Sequence, residues 1–404
     1  MTDEIPAPES NLPPESSAAP RSLQELIDRV SGRRLTPSQP ASGGSIVDTR
    51  PYPFLALVGQ REMKLALLLS LINPAIGGVL LVGPRGTGKT TAVRSLSGLL
   101  PEVPHSLCVN GYGCMPEDVE TGGVDSVCPD CARKYGHGEP LARLDQVRLF
   151  ELPLNAEIED VVGGVDAQAA SANRLHIRRG LLAQADQHLL YIDEVNLLAD
   201  PIIDAILDAS AQRQYTVRRG PVAATYHARF VLIGSMNPEE GQLRPQILDR
   251  FGLRIIVNGL ENRDDRLEAY RRVRSYQTNP RRTVEEYDPA TDFARNEIQA
   301  ARNLLPEVEI PDEVAHLGLA LIDGMNIASL RAEITLFEAA RAYAASDGRV
   351  KVTADDLRAL APMALRLRRS DFMRQYFEAQ KLEENEIKGI INHVIPGETP
   401  PSQK

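Results

Sequence analysis

The sequence predicts an α/β fold with a parallel sheet followed by a helical domain, and three observations carry that expectation. Short apolar strands alternate with helical stretches between residues 52 and 260. A G-x-x-x-x-G-K-[ST] turn joins one such strand to the helix after it. From about Asp288 onward the pattern becomes helical throughout. A chain of 404 residues holds two or three packed domains, and 43% hydrophobic with 25% charged residues is the balance of a water-soluble protein with a sizeable core.

Residues 1–50 are rich in Pro, Ser, Ala and Glu, with apolar clustering only at Leu23-Gln24-Glu25-Leu26-Ile27. Such a composition buries too little surface to offset ordering entropy, which predicts disorder with at most one short helix. Glu62–Leu71 reads as a helix, Gly77-Gly78 as a turn, and Val79–Val82 as a buried strand leading into the glycine-rich loop. Thr91–Leu100 is the expected helix after it. Pro101–Pro140 contains all four cysteines among several Gly and Pro residues and reads as a loop-rich insertion. Leu181–Ala185 reads as helix, Leu189–Ile192 as a buried strand ending in Asp193-Glu194, and Pro201–Arg213 as helix. Tyr215–Arg218 and Thr225–His227 flank Arg219-Gly220-Pro221 and suggest a hairpin, and Phe230–Ile233 is another apolar strand ending near Asn237-Pro238.

The nucleotide-binding domain is therefore expected over 51–260 and the helical domain over 288–370. The latter comprises Asp292–Leu304, Asp312–Leu321, Ser329–Ala345 and Ala354–Leu367, with Thr353 as a helix cap ahead of acids in the first turn. Residues 371–404 form a charged tail. The longest apolar run, Leu65–Ile72, is broken by Asn73-Pro74 and is too short to span a bilayer. The acidic start Met1-Thr2-Asp3-Glu4 lacks a signal-peptide pattern, so a cytoplasmic protein is expected. A formal charge of −10 argues against nucleic acid as the main partner, since phosphate backbones require a basic surface.

The chemistry sits in the loop and at the strand ends. Gly83, Pro84, Arg85, Gly86, Thr87, Gly88, Lys89, Thr90 and Thr91 form a phosphate-binding loop whose glycines let backbone N–H groups wrap a polyphosphate. Lys89 is placed to reach the β- and γ-phosphates, and the Thr90 hydroxyl to hold Mg²⁺. About a hundred residues on, Asp193 is the expected Mg²⁺ partner and Glu194 the group that polarises an attacking water. Asn237, at the end of the next strand, is in a position to hydrogen-bond the water or the γ-phosphate. These assignments describe a Mg²⁺-dependent nucleoside triphosphatase.

The run from Gly234 through Asn237, Arg250 and Phe251 to Gly252 resembles the I subunit of magnesium chelatase, a family of AAA+ ATPases that drive metal insertion into protoporphyrin IX. Also similar are Pro53-Phe54, Leu57-Val58-Gly59-Gln60, the phosphate loop, Tyr191-Ile192-Asp193-Glu194-Val195-Asn196-Leu197-Leu198 and Ser329-Leu330-Arg331-Ala332-Glu333. The resemblance extends from about Tyr52 to Arg369. It implies that Asn237 is sensor 1, Arg250 an arginine finger entering a neighbouring subunit's site, and Arg331 the sensor 2 arginine of a helical lid. It further implies a homo-oligomeric ring, a hexamer in the leading reading, and two partner chains. One is a bridging subunit with a metal-ion-dependent adhesion domain, and the other a large porphyrin-binding subunit. This chain lacks that adhesion signature, because Asp208-Ala209-Ser210-Ala211-Gln212 has no second serine. The family's hairpin before sensor 1 and its second-helix insertion fall at Gln214–His227 and Ile158–Arg179. A cobalt chelatase component, or an ATPase that matures some other metalloprotein, is the alternative assignment, ahead of a nucleic-acid remodeller or a scaffold that binds ATP without turnover.

Cys108, Cys114, Cys128 and Cys131 are spaced C-x5-C-x13-C-x2-C. The Cys-Pro-Asp-Cys half suits a zinc knuckle, the first half is looser, and His105 and His137 lie near enough to substitute. A structural Zn²⁺ leads, with redox-active thiols or a disulfide, inert thiols and an iron–sulfur cluster as the alternatives. The block departs from the family pattern, which generally lacks four cysteines here.

Overall fold

The computed structural model describes residues 51–109, 113–165, 177–219, 222–241, 243–327 and 329–369, together with Leu23 and Ile387. Apart from those two, the expectations for residues 1–50 and for the tail beyond 370 lie outside the described residues.

Helix α1 (Arg61–Ile72) leads through Gly77-Gly78 into β1 (Val79–Val82), and the phosphate loop connects β1 to α2 (Lys89–Arg94). After α2 the chain tightens into a 3₁₀ turn over Ser95–Leu99 instead of continuing as one helix to Leu100. The cysteine segment follows as β2 (Val103–Ser106), α3 (Pro116–Gly122), α4 (Pro129–Gly136) and β3 (Ala142–Asp145). Strands β2 and β3 pair with each other antiparallel and stay outside the main sheet. Next come β4 (Leu149–Leu152), α5 (Ile158–Val162), the two-stranded pair β5 (Gly163–Val165) and β6 (Ile177–Arg179), and α6 (Leu181–Gln184). Strand β7 (Leu189–Ile192), α7 (Asp200–Gln212), hairpin β8 (Gln214–Arg219) and β9 (Val222–His227), β10 (Val231–Met236), α8 (Pro245–Arg250) and β11 (Leu253–Ile256) complete the α/β part. The helical part comprises α9 (Arg263–Thr278), α10 (Pro280–Leu304), α11 (Asp312–Gly324), α12 (Leu330–Ser346) and α13 (Ala354–Leu365).

The five-stranded sheet has the order β11-β1-β10-β7-β4, and all four pairings are parallel. Side chains alternate across it, as the two-residue period of a strand requires. Val79, Leu81, Leu189, Tyr191, Val231, Ile233, Leu253 and Ile255 face one apolar core; Leu80, Val82, Leu190, Ile192 and Leu232 face the other. With both faces covered, strands read as continuous apolar runs, which is why β1, β7 and β10 are visible in the sequence. The outer strands β4 and β11 are not, because Glu151 and Arg254 interrupt them.

The helical part does not stand off from the sheet. Ala294 and Ile298 of α10, Leu336 and Ala340 of α12 and Leu360 and Met363 of α13 join α1 in the core on the β1 face. Helicity begins earlier than the sequence suggests. Helix α9 is strongly charged and buries no residue fully, so it has little apolar period to detect. Helix α10 runs through Pro289, a residue that ordinarily argues for a boundary. The Thr353 N–H donates to the Asp356 carboxylate at 2.8 Å, closing the N-terminus of α13.

At the foot of the sheet His188 is 4% exposed, and its Nδ1 accepts the Arg148 N–H at 3.2 Å. Burial lowers its pKa to about 4; His105 and Arg148 push the same way, while Asp186 and Asp145 oppose. An unfolded histidine titrates near ~6.5. Below that value the unfolded chain binds a proton that the native chain does not, so stability is complete above about 6.5 and falls as pH drops toward 4. His188→Gln is expected to flatten the pH dependence of the urea-unfolding free energy in this window, by nearly one proton. An unchanged slope would show that His188 is not held neutral.

Candidate nucleotide site

The loop after β1 is shaped around open space. Gly86 and Gly88 have φ of 79° and 88°, the left-handed region that glycine enters without strain. A Cβ at either would meet nothing within 4 Å, so both glycines border open space. The loop is tied to β10 by the Gly83 N–H, which donates to the Met236 carbonyl at 3.1 Å. Lys89 is 6% exposed and its Nζ donates to the Gly83 and Pro84 carbonyls at 2.6 and 2.9 Å. Its pKa is lowered by burial, with Glu194, Asp193 and Glu240 opposing. Thr87 Oγ1 donates to the Pro84 carbonyl at 3.1 Å. Thr91 is exposed at the start of α2.

Thr90 and Asp193 converge through Tyr191. The Tyr191 hydroxyl donates to Asp193 Oδ1 at 2.8 Å and lies 3.2 Å from Thr90 Oγ1. Ser235 Oγ on β10 donates to the same Asp193 oxygen at 2.5 Å. A hydroxyl and a carboxylate sharing one polar cluster beside an open phosphate loop are the oxygen donors Mg²⁺ takes when it binds with a triphosphate. The residues present thus fit both a nucleoside triphosphate and Mg²⁺.

Glu194 has φ 51° and ψ 60°, a left-handed conformation uncommon for a side chain of its size and one that recurs at functional sites. Its Oε2 accepts the Asn237 N–H at 2.8 Å. Burial raises its pKa, helped by Glu240 and Asp193 and opposed by the hydrogen bond from Asn237 and by Lys89. Asn237 is 1% exposed, and its Nδ2 donates to Glu240 Oε1 at 2.8 Å. The same Glu240 oxygen lies 2.5 Å from Arg85 Nε, so Glu240 links the phosphate loop to Asn237. Ser235, Tyr191 and Glu240 were not singled out from the sequence. Ser235 carries the one clear signal, a polar residue inside the apolar run of β10.

The two arginines lie elsewhere. Arg250 Nη1 pairs with Asp208 at 2.8 Å and Asp204 at 3.4 Å, both on α7 of its own chain. Arg331 approaches Asp249 at 3.8 Å and is half exposed. Asp249 itself is a junction that sequence reasoning missed. It accepts from Arg368 Nη1 at 2.8 Å and from Ser329 Oγ at 2.9 Å, and lies 3.7 Å from Arg254. The Arg254 and Arg368 side chains are 0% exposed. Arg368 also donates to the Ala364, Phe251 and Gly252 carbonyls. Burial lowers the pKa of both guanidiniums, with mutual repulsion adding at Arg254 and Asp249 opposing at both.

A parallel sheet with a phosphate loop after β1, acids after β7, an asparagine after β10 and a helical lid defines a P-loop nucleotide-binding protein of the AAA type. In keeping with that class, residues 324–390 match the AAA lid domain and residues 165–247 match the magnesium chelatase subunit ChlI family. The chain is 41% identical over 344 residues to the magnesium-chelatase subunit ChlI homolog of Methanocaldococcus jannaschii, covering 83% of this chain and 92% of that one. It is 43% identical over 335 residues to the magnesium-chelatase 38 kDa subunit of Rhodobacter capsulatus, covering 82% and 92%. A crystal structure of a protein from Cytophaga hutchinsonii shares the fold at 19% identity and a TM-score of 0.50, over 78% of this chain and 83% of that one. The chain belongs to the magnesium-chelatase ChlI family. No helix among the described residues is long and apolar enough to cross a membrane.

Asp249→Ala would leave two buried guanidiniums without their carboxylate. A loss of about 2–4 kcal/mol is expected by urea unfolding, below the full value for a buried pair because Asp249 is itself partly exposed. Arg331→Ala, removing a long and half-exposed pair, should cost under about 1 kcal/mol. Equal losses in the two variants would refute the assignment of Asp249 as the junction.

Proposed function

We propose that this chain is the ATP-hydrolysing subunit of a magnesium chelatase, driving Mg²⁺ insertion into protoporphyrin IX on the route to chlorophyll or bacteriochlorophyll. The observation that carries the proposal is the convergence of Lys89, Thr90, Asp193, Glu194 and Asn237 at the ends of three adjacent parallel strands, in a member of the ChlI family. Ligands of open α/β sheets bind at this end of the strands.

The residues divide the work. The backbone of Gly83–Thr90 and the Lys89 ammonium bind and orient the triphosphate. Thr90 and Asp193 hold the Mg²⁺, which when bound neutralises charge developing on the phosphate oxygens. Glu194, with its pKa raised by burial, accepts the proton of the attacking water, and Asn237 orients that water. In the ring we propose, a hexamer, Arg250 leaves Asp204 and Asp208 to enter the neighbouring subunit's site, and Arg331 senses the γ-phosphate from the lid. A bridging subunit and a porphyrin-binding subunit complete the cytoplasmic complex.

Glu194→Gln is expected to bind ATP and assemble but to hydrolyse it about 10²–10⁴-fold more slowly; unimpaired turnover would remove Glu194 from its role. Arg250→Ala and Lys89→Ala subunits, each inactive alone, should regain ATPase activity on mixing. No recovery in rings shown to be mixed would exclude a finger acting in trans. The decisive test of the whole reading adds this chain and ATP to the other two subunits of a magnesium chelatase and follows Mg²⁺ insertion into protoporphyrin IX. Insertion that requires this chain supports the proposal. No insertion, with intact ATPase activity, would shift the reading to a chelatase that handles another metal, such as cobalt.

A further inference from the structure

Four cysteines separated by up to 23 residues in the sequence meet at one point. The Sγ atoms of Cys108, Cys114, Cys128 and Cys131 all lie within 4.8 Å of one another, and three of the four residues are buried. Cys108 and Cys128 Sγ are 3.7 Å apart. Four thiolates around a tetrahedral zinc at ~2.3 Å have edges of about 3.8 Å, so the sulfurs are already close to the geometry such an ion imposes. The backbone is arranged to the same end. Cys128 precedes α4 and Cys131 lies in its first turn, while the Cys128 N–H donates to Cys114 Sγ at 3.3 Å. An N–H donated to a sulfur is the outer contact that steadies a thiolate ligand.

The surrounding segment has little else to hold it. Its apolar cluster consists of Cys114, Val119, Val127, Cys128, Cys131 and Leu141, with Cys108 and Ala132 against it. Half of the buried members are therefore candidate ligands. A unit of roughly 40 residues with so small a core is in the range where a metal or disulfides usually supply the missing stability. Two disulfides would pair the sulfurs off, whereas one ion uses all four together. We propose that these cysteines form a structural tetrathiolate Zn²⁺ site, separate from the nucleotide chemistry.

The site has a mechanical consequence. It fixes α3 and the segment around it, from which Asp118 reaches Arg179 of β6 at 2.9 Å and Glu117 reaches Arg229, ahead of β10, at 3.5 Å. The Arg179 guanidinium in turn lies over the Tyr226 ring of β9 at 5.2 Å. The proposed site would therefore position two acids, one on Arg179 of β6 and one on Arg229 between β9 and β10.

The test uses the full-length untagged chain, produced with zinc supplied and purified under reducing conditions. Elemental analysis should find about one zinc per chain, and titration of the thiols with a mercurial should release it in step with four sulfurs. Cobalt should replace it with the visible bands of a tetrahedral tetrathiolate centre. Cys128→Ser/Cys131→Ser should lose the metal and become sensitive to protease between residues 101 and 145, while retaining ATP binding within about twofold. Wild-type protein without stoichiometric metal and with four freely reacting thiols would overturn the proposal, as would a disulfide or iron in place of zinc. Because wild-type metal content decides the question, misfolding of the variant leaves the test intact.

Discussion

Asp249 is the contact on which the burial of Arg254 and Arg368 depends. One carboxylate faces Arg368 and Arg254, whose side chains are wholly buried, with Ser329 and Arg331 of the lid on its other side. Buried cations without a carboxylate are costly, so α8, the start of β11, the N-terminus of α12 and the segment after α13 are held in one arrangement. The Arg368 guanidinium reinforces this by donating to the Phe251 and Gly252 carbonyls between α8 and β11. The lid is therefore joined to the sheet by charge as well as by the apolar core it shares with α1.

The central strands are legible in the sequence because they are apolar on both faces, and their polar terminators stand out against that background. Asp193, Glu194 and Asn237 could be named for this reason. What the sequence conceals is whatever depends on partners distant in the chain. Arg254 sits in the middle of a strand, where a charge argues against burial; it is buried because Asp249 faces it and the Arg366 carbonyl accepts from it at 3.1 Å. Likewise Glu240 resembles an ordinary turn acid until the fold places Arg85 and Asn237 on one of its oxygens. Helix α9 is missed because its solvated surface leaves no apolar period.

The cysteine segment illustrates the limit differently. The C-x2-C half is legible because two intervening residues allow both sulfurs to reach one ion. The C-x5-C half is not, since that spacing alone does not bring sulfurs together. Pairing of β2 with β3 closes the base of the segment, and the Ser106 hydroxyl, donating to the Cys114 carbonyl at 2.6 Å, draws the two cysteines onto the same side. Register and one side-chain hydrogen bond thus do what spacing does not.

Residues 249 and 250 are neighbours with opposite energetics, and this contrast bears on the proposed ring. The partners of Arg250, Asp204 and Asp208, are about half exposed, and pairs of that kind contribute little. Breaking them to reach a neighbouring subunit costs far less than disturbing Asp249, whose partners are buried. An arginine that must act across an interface needs a fixed base and a loosely held tip, because positional error at the donor directly weakens stabilisation of the transferring phosphate. In the proposed ring, Asp249 would supply the base and Arg250 the tip. Since the carboxylate that fixes the base also faces Arg331, movement of the lid that displaced Arg331 or Ser329 would alter the support of the finger. In the proposed ring, the state of one subunit's lid would then bear on catalysis in the next without any longer chain of contacts between them.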